Sequence, residues 1–255
     1  MKGNEFEQAW FGSFRVNGEL CTADSPGYYN RKDRLLFGDT VNRESSIPWV
    51  RIGEKWIAGT VVLINVSWRQ LDNESYVSGR PIWIDGKPFF CRCPELSSTN
   101  GANEWEKAIQ ITGADNDLWR WKGHFFFGNE MVVELDDNNI PRQRCDIAGM
   151  YDSPTEQQKF EITEQNVFVG FRPVLEPLPF IPKIDSQMLQ SPVTVWNEGQ
   201  RVSGILKAYT DYDLVLDLER ELLRPELWDG IAVPLDGHKI IVDRKGISYL
   251  QANIK

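Results

Sequence analysis

The chain has 255 residues, of which 41% are hydrophobic and 25% are charged, and its formal net charge is −9. This composition is that of a globular protein with room for one or two cores, and the negative charge argues against a nucleic-acid protein that works by bulk counterion release. There is no apolar run close to about 18 residues and no hydrophobic leader, so the sequence predicts neither a transmembrane helix nor a secretory signal. Four scattered cysteines favour a reducing, cytoplasmic setting over a disulfide scaffold.

The first part of the chain is predicted to be rich in β-hairpins. Asn17-Gly18, Gly53 and Asp85-Gly86 each stand between short apolar stretches, a pattern typical of tight turns between paired strands. The segment Thr60–Val66 is β-branched and almost wholly apolar, which predicts a strand buried on both faces.

Helical signals follow in the middle of the chain. Asn103 with Glu106 resembles a capping box and predicts the start of a helix. The run Leu118–Trp121 predicts a short helical turn that stops at Gly123. From 129 to 166 the pattern weakens, and the polar runs there, such as Asp136–Asn139, indicate loops.

A domain boundary is predicted near residues 177–190. An ordered strand pattern returns at Asn166–Glu176, and Pro177, Pro179 and Pro182 then indicate a stiff linker. We therefore predict an α+β protein, mostly β, with domains at residues 1–180 and 190–255. From Gln190 onward there are ten acidic and eight basic residues, so the second domain is nearly neutral and has room for a local basic spot.

The cysteines and the acidic loops carry the candidate metal ligands of this chain. Cys91-x-Cys93 with His124 suggests zinc, but structural zinc sites use longer spacers and four ligands, so core packing is favoured for both thiols. Calcium needs six to eight oxygens from several segments, which disfavours the acidic loops as a site. These loops carry Asp115, Asp117, Asp136 and Asp137.

Catalytic patterns are sparse. His124 and His238 are the only histidines, and no phosphate-binding glycine loop or nucleophile elbow occurs. Paired carboxylates stay open as an alternative, because sequence does not place them across a cleft. We therefore predict a protein that is not an enzyme and uses no cofactor and no metal.

The pair Trp119-x-Trp121 is the first candidate for ligand binding. Two tryptophans in a loop-rich region are able to form a platform on which a sugar or a base stacks. Residues two apart in a helical turn point in different directions, so the alternative is that at least one ring belongs to the core.

Residues 6–178 resemble prophage-type bacterial proteins of unknown function. More distantly, they resemble the C-type-lectin-like fold of formylglycine-generating enzymes and phage receptor-binding modules. The resemblance implies a loop-rich middle and pairing of the first and last strands. Catalysis does not carry over, because that activity uses a late cysteine pair and only Cys145 stands in that half. The motifs that carry the resemblance are Ser25–Asn30, Asp33–Gly38, Asn103–Glu106, Leu118–Trp121 and Gly170–Leu175.

The tail resembles Sm-like proteins, Hfq in particular. Apolar and polar residues alternate from Val193 to Leu216 with glycines at 199 and 204, and Gly246–Leu250 follows the second Sm motif. The resemblance implies a bent five-stranded barrel. It also implies that RNA is held by three residues, Tyr212, Arg244 and Lys245. The chain departs from the motif at Thr210, at Asp211 and in the long insertion 217–239.

Two functions follow as expectations. The first is a non-enzymatic binding protein, in which lectin-like loops present a surface to a small ligand or an unknown protein partner and a small barrel serves assembly. The alternative is an Sm-like RNA-binding protein, and a plain SH3-like barrel used for packing or for contacts in a homo-oligomer explains the same tail pattern. We expect no membrane partner.

Overall fold

A computed structural model describes residues 6–30, 32–97, 101–150, 152–179, 184–197, 200–218, 231–236 and 238–252. Over these residues the protein is mostly β with a few short helices, which confirms the predicted α+β, mostly β class. The chain forms two compact units, Met1–Leu178 and Pro179–Lys255. Pro182 and Gly199, which entered the sequence predictions, lie outside the described residues.

Most strands of the first unit are short and are joined by turns. Within the described residues they are β1 (Phe6–Val16), β2 (Glu19–Leu20), β3 (Gly27–Tyr28), β4 (Leu35–Gly38), β5 (Ser46–Ile52), β6 (Lys55–Ala58), β7 (Leu63–Ile64), β8 (Arg80–Ile84), β9 (Lys87–Arg92), β10 (Phe125–Leu135), β11 (Pro141–Ala148), β12 (Gln157–Glu161), β13 (Val169–Phe171) and β14 (Val174–Pro177).

Eight of these strands form one sheet, in the order β2-β1-β5-β6-β14-β9-β8, with β4 also paired to β1. The three predicted hairpins are confirmed, because β1–β2, β5–β6 and β8–β9 are antiparallel pairs closed by the expected turns. The strands β1 and β14 share this sheet but are separated by β5 and β6. The direct pairing of first and last strands that the lectin-like resemblance implies is therefore wrong for this chain.

The remaining six strands form a second sheet, in the order β12-β11-β10-β13-β7-β3. The stretch 129–166 was predicted to be weakly patterned, but β10, β11 and β12 make an antiparallel meander there. The reason is that the outer half of β10 is at least partly exposed on both faces, so no clean alternation arises. The strand predicted at Thr60–Val66 is limited to Leu63–Ile64, because Asn65 adopts a left-handed φ of 56° that ends the extended backbone.

Three α-helices lie in the described part of the first unit: α1 (Trp68–Asn73), α2 (Glu104–Thr112) and α3 (Asn116–Trp119). The predicted capping box of α2 is confirmed. Asn103 Oδ1 accepts from Glu106 N at 2.8 Å, and Asn103 N donates to Glu106 Oε2 at 3.1 Å. Helix α1 was missed, although Ser67 and Gln70 form the same reciprocal box.

Two hydrophobic clusters stabilise the first unit. The larger one fills the space between strands of both sheets, with Phe14, Trp49, Phe127 and Phe171 at its centre. The second packs α2 and α3 against the sheets. Its buried residues are Val50, Ile57, Val61, Leu96, Trp105, Ala108, Ile109, Trp119, Trp121, Phe126, Ala148 and Val174.

The described strands of the second unit are β15 (Pro192–Asn197), β16 (Gln200–Tyr209), β17 (Asp213–Asp217), β18 (Ala232–Asp236), β19 (Lys239–Asp243) and β20 (Tyr249–Ala252), and 3-10 helices lie at Ser186–Met188 and Arg244–Gly246. These six strands form one sheet, in the order β18-β19-β17-β16-β15-β20. A Cβ atom added at Gly204 in β16 would stand 2.8 Å from the Asp217 carbonyl oxygen of the neighbouring β17, so this close approach requires glycine.

Neither unit supplies a membrane anchor of the helical kind within the residues described above. None of the helices found there combines the length and the apolar character that crossing a bilayer requires.

Candidate functional site

A polar cleft of about 600 Å³ opens among the loops of the first unit. It brings together a carboxylate from the loop before β3, the buried Thr60 before β7, and the residues around α3. Its walls therefore come from segments far apart in sequence. The lining residues are Ala23, Asp24, Pro26, Thr60, Asn116, Asp117, Arg120, Gly123 and His124.

Arg120 is the cation of the cleft, and local backbone geometry sets its position. Asp115 caps α3 by accepting from Asp117 N at 2.8 Å, and the helix ends one turn later at Arg120 in the left-handed conformation, with φ 44°. The Arg120 guanidinium forms an ion pair with Asp24 across the cleft. Since the Asp24 side chain is largely exposed, a ligand is able to compete for Arg120.

A fully buried arginine, Arg172, bonds to the backbone close to two residues that line the cleft. Its Nη1 donates to the Ala58 carbonyl at 2.7 Å and its Nη2 to the Trp119 carbonyl at 2.8 Å. The guanidinium lies between two rings, 5.1 Å from the centroid of Trp105 and 4.8 Å from that of Phe126. Because Ala58 and Trp119 are close in sequence to the lining residues Thr60 and Arg120, Arg172 fixes the backbone on two sides of the cleft.

The charge state of the cleft follows from this packing. Burial lowers the pKa of Arg172 to about 9, so the group still carries its charge at neutral pH. Burial, and secondarily the nearby positive charge of Arg172, lower the pKa of His124, which is therefore neutral at neutral pH. The cleft thus offers Asp24 and Asp117 as acceptors, Arg120 as a donor, and a neutral imidazole that both donates and accepts.

The cysteines lie outside this cleft. Cys91, Cys93 and Cys145 are fully buried in the larger core, and burial raises the pKa of each thiol, that of Cys145 to about 12. Such thiols are protonated at neutral pH and are poor nucleophiles and poor metal ligands. No group of three or more His, Cys, Asp or Glu side chains suited to a metal occurs among the described residues.

Asp115 and Asp136 in the acidic loops accept hydrogen bonds from backbone N–H groups of their own turns. Asp115 caps α3, as noted above. Asp136 Oδ1 accepts from Asn138 N and Ile140 N, both at 2.9 Å, and its Oδ2 pairs with Arg142 at 3.1 Å. These contacts show that Asp115 and Asp136 stabilise local turns.

Both tryptophans of the predicted stacking platform are core residues. Trp119 is 0% and Trp121 is 5% exposed, and their Nε1 atoms donate to Thr112 Oγ1 and to the Ala114 carbonyl. Stacking needs an open ring face, so this burial disfavours the predicted platform. The rings instead hold α3 in place, and α3 presents Arg120 and Asp117 to the cleft.

The three residues predicted for RNA binding lie together at one end of the second unit. Arg244 N donates to the Tyr212 carbonyl at 2.8 Å, and Arg244 Nη1 donates to the Thr210 carbonyl at 2.6 Å. Tyr212 is 72% exposed, and Lys245 N is held by the Asp243 carboxylate at 2.8 Å. We call Tyr212, Arg244 and Lys245 the basic–aromatic surface; Asp211, Asp213 and Asp243 are acidic neighbours in sequence.

The cleft was missed by sequence reasoning. Asp24 and Thr60 belong to no predicted site, Arg120 stands in the Leu118–Trp121 motif without being singled out, and His124 was considered as a zinc ligand beside Cys91 and Cys93. The Asp115 cap of α3 was the one visible signal, and it locates a helix start without indicating a cleft.

No protein-family model, no curated protein and no solved structure matches this chain.

Proposed function

We propose that this chain is a non-enzymatic binding protein whose first unit holds a small polar ligand, or a polar side chain of a protein partner, in the cleft. The observation that carries the proposal is the mixed set of donors and acceptors whose backbone supports are held by Arg172. Fixed walls lower the entropy lost on binding, which favours a recognition site. The lectin-like assignment is part of this proposal: the loops that line the cleft favour it, and the separation of β1 from β14 counts against it.

Arg120→Ala is expected to weaken ligand binding at the cleft about tenfold or more, because it removes a charged hydrogen-bond donor. A defined panel of N-acetylglucosamine, glucose, L-arginine and L-glutamate, followed by ligand-observed NMR, checks this. Arg69→Ala is the matched control, since Arg69 bonds Gln143 at 2.8 Å and does not line the cleft. Equal binding by Arg120→Ala, or turnover in a hydrolase screen that Arg120→Ala abolishes, would overturn the proposal.

A second candidate is RNA binding by the second unit, favoured by the basic–aromatic surface. The described strands are ordered β20-β15-β16-β17-β19. The strand β20, near the end of the chain, thus pairs with β15, the first strand of the unit, and a small Sm-like or SH3-like barrel needs this connectivity. The 3-10 helix Arg244–Gly246 joins β19 to β20 and carries both basic residues. An exposed aromatic ring beside two cations suits a stacked base and its phosphate.

The double change Tyr212→Ala with Lys245→Ala is expected to weaken binding of a single-stranded U-rich RNA by the full chain by about 1–3 kcal/mol, the cost of losing one stacked base. Fluorescence anisotropy at two salt concentrations measures it. Lys207→Ala is the control, because this change removes one positive charge from β16, away from the basic–aromatic surface. The Lys207 Nζ atom lies 3.5 Å from an Asp217 carboxylate oxygen. RNA binding that is absent, or that is indifferent to salt, would remove this candidate.

Assembly through the second unit is the remaining part of the proposal. Among the described strands of this unit β18 is at the edge of the sheet, and it exposes Val233 and Leu235, at 61% and 55%. Pro234 between them has no N–H, which hinders extension of the sheet at this edge. The contact proposed is therefore made by the two apolar side chains and not by continued strand pairing.

A further inference from the structure

The polar cleft of the first unit holds an anion and a cation side by side. Arg120 pairs with Asp24, whereas the Asp117 carboxylate lines the cleft and bonds to no other group in the described part of the chain. Arg120 N donates to the Asn116 carbonyl at 2.7 Å, so Asp117 and Arg120 stand three residues apart in one helical turn. Side chains at this spacing are neighbours. The cleft therefore offers two opposite charges that do not pair with each other.

A second hydrogen-bond donor stands near Arg120. Asn116 also lines the cleft, and its Oδ1 accepts from Lys122 N at 3.0 Å. Because the amide oxygen is engaged in this bond, the group that Asn116 has left for a ligand is its NH2, which only donates. A carboxylate only accepts, and it accepts several hydrogen bonds at once. Asn116 and Arg120 together are therefore suited to a carboxylate.

The buried charge of Arg172 favours an anion at the same place. Its Nη atoms bond only to two carbonyl groups and its Nε has no partner, and among the described residues no carboxylate pairs with it. A buried cation without a counter-charge is costly, and an anion close by offsets part of that cost. Burial and then the Arg172 charge lower the pKa of His124, which lines the cleft, so this charge acts inside the cleft.

We propose that the ligand of the cleft is a free α-amino acid, whose carboxylate displaces Asp24 from Arg120 and whose ammonium group is held by Asp117. This inference rests on the proposed function of the first unit. An α-amino acid carries both charges on one carbon atom, which matches two opposite charges within one helical turn. A simple anion would meet the unpaired Asp117, and a simple cation would leave Asp24 on Arg120. Asp24, whose side chain is 88% exposed, is then an internal competitor that holds the carboxylate position before the ligand binds.

The first test varies the ligand and uses the full chain. L-glutamate is compared with glutarate, which lacks the ammonium group, and L-arginine with agmatine, which lacks the carboxylate, by titration followed with ligand-observed NMR. At least one of the two amino acids should bind, and its analogue should bind about tenfold or more weakly, because one charged contact is lost. An analogue that binds as tightly as its amino acid overturns the inference. Arg120-dependent binding of glucose or N-acetylglucosamine, without binding of either amino acid, also overturns it and leaves the proposed function standing; no binding by any of these compounds contradicts both.

The second test uses two variants that change the net charge equally. Asp117→Asn should weaken binding of the amino acid about tenfold or more, because the partner of the ammonium group is lost. Asp24→Asn should strengthen binding about twofold to fivefold, because it removes the competitor, and an exposed ion pair of this kind is weak. Asp137→Asn is the matched control, since Asp137 is exposed and does not line the cleft. Circular dichroism confirms that the variants are folded. Shifts of both cleft variants in the same direction, or an Asp24→Asn variant that binds as wild type does, would overturn the inference.

Discussion

Replacing Arg172 by alanine is expected to lower the free energy of unfolding of the first unit by about 3–5 kcal/mol. The change removes a side chain that is 0% exposed and leaves a cavity between the rings of Trp105 and Phe126. It also leaves the carbonyls of Ala58 and Trp119 without these donors. Urea unfolding followed by tryptophan fluorescence measures the loss.

Two further variants separate packing from charge in this prediction. Arg172→Met fills the space between the rings and should recover part of the loss, because the carbonyls still lack their donors. Arg51→Ala is the control: Arg51 also lies over a ring, that of Trp56, but it is exposed and its pair with Glu7 spans 3.3 Å. It should cost less than about 1 kcal/mol. If Arg172→Ala is as mild as Arg51→Ala, the structural role given to Arg172 is wrong.

Replacing Glu104 by glutamine is expected to cost about 2–3 kcal/mol at neutral pH. Arg92 is buried and donates to both Glu104 oxygens, at 2.7 and 2.9 Å, and to Glu176 at 2.6 Å. Lys55 completes the cluster at 2.8 Å from Glu104. Since Glu104 is the first residue of α2, this cluster ties the helix to β6, β9 and β14. Glutamine keeps the shape but leaves part of the buried Arg92 charge uncompensated.

The effect of Glu104→Gln should depend on pH. Burial alone would raise the pKa of Glu104, but the hydrogen bonds and charges of Arg92 and Lys55 outweigh it and hold the pKa below its ordinary value of 4.5. The unfolded chain therefore takes up this proton at a higher pH than the folded chain does. The stabilisation is complete above pH 4.5 and is lost as the pH falls through the folded-state pKa.

Unfolding free energies of wild type and Glu104→Gln at neutral and acidic pH check this dependence. The difference between the two proteins should shrink as the pH falls below about 4.5. Glu7→Gln is the control, because its partner Arg51 is exposed and the pair should contribute little at any pH. A difference between wild type and Glu104→Gln that stays constant down to strongly acidic pH would contradict the assignment.

Local signals were enough for the elements that short stretches of sequence stabilise. The hairpins at Asn17-Gly18 and Asp85-Gly86 and the start of α2 at Asn103 follow from turn and cap chemistry within a few residues. Helix α1 carries the same kind of signal at Ser67 and Gln70 and was overlooked. The basic–aromatic surface was predictable only through the Sm-like resemblance, because Tyr212 and Arg244 are 32 positions apart in the chain.

Features that depend on distant partners became visible only in three dimensions. Nothing in the sequence distinguishes Arg172 from a surface cation, and its burial becomes evident only when Trp105 and Phe126 enclose it. The cleft likewise forms only because Asp24, Thr60 and Arg120 come together. Trp119 and Trp121 show the converse, since the two rings that suggested a platform are buried in the hydrophobic cluster that also contains residues of α2. Turns and caps depend on residues that are neighbours in the chain. Burial and charge pairing depend on which distant segments pack together, and the periodicity of a sequence does not contain that information.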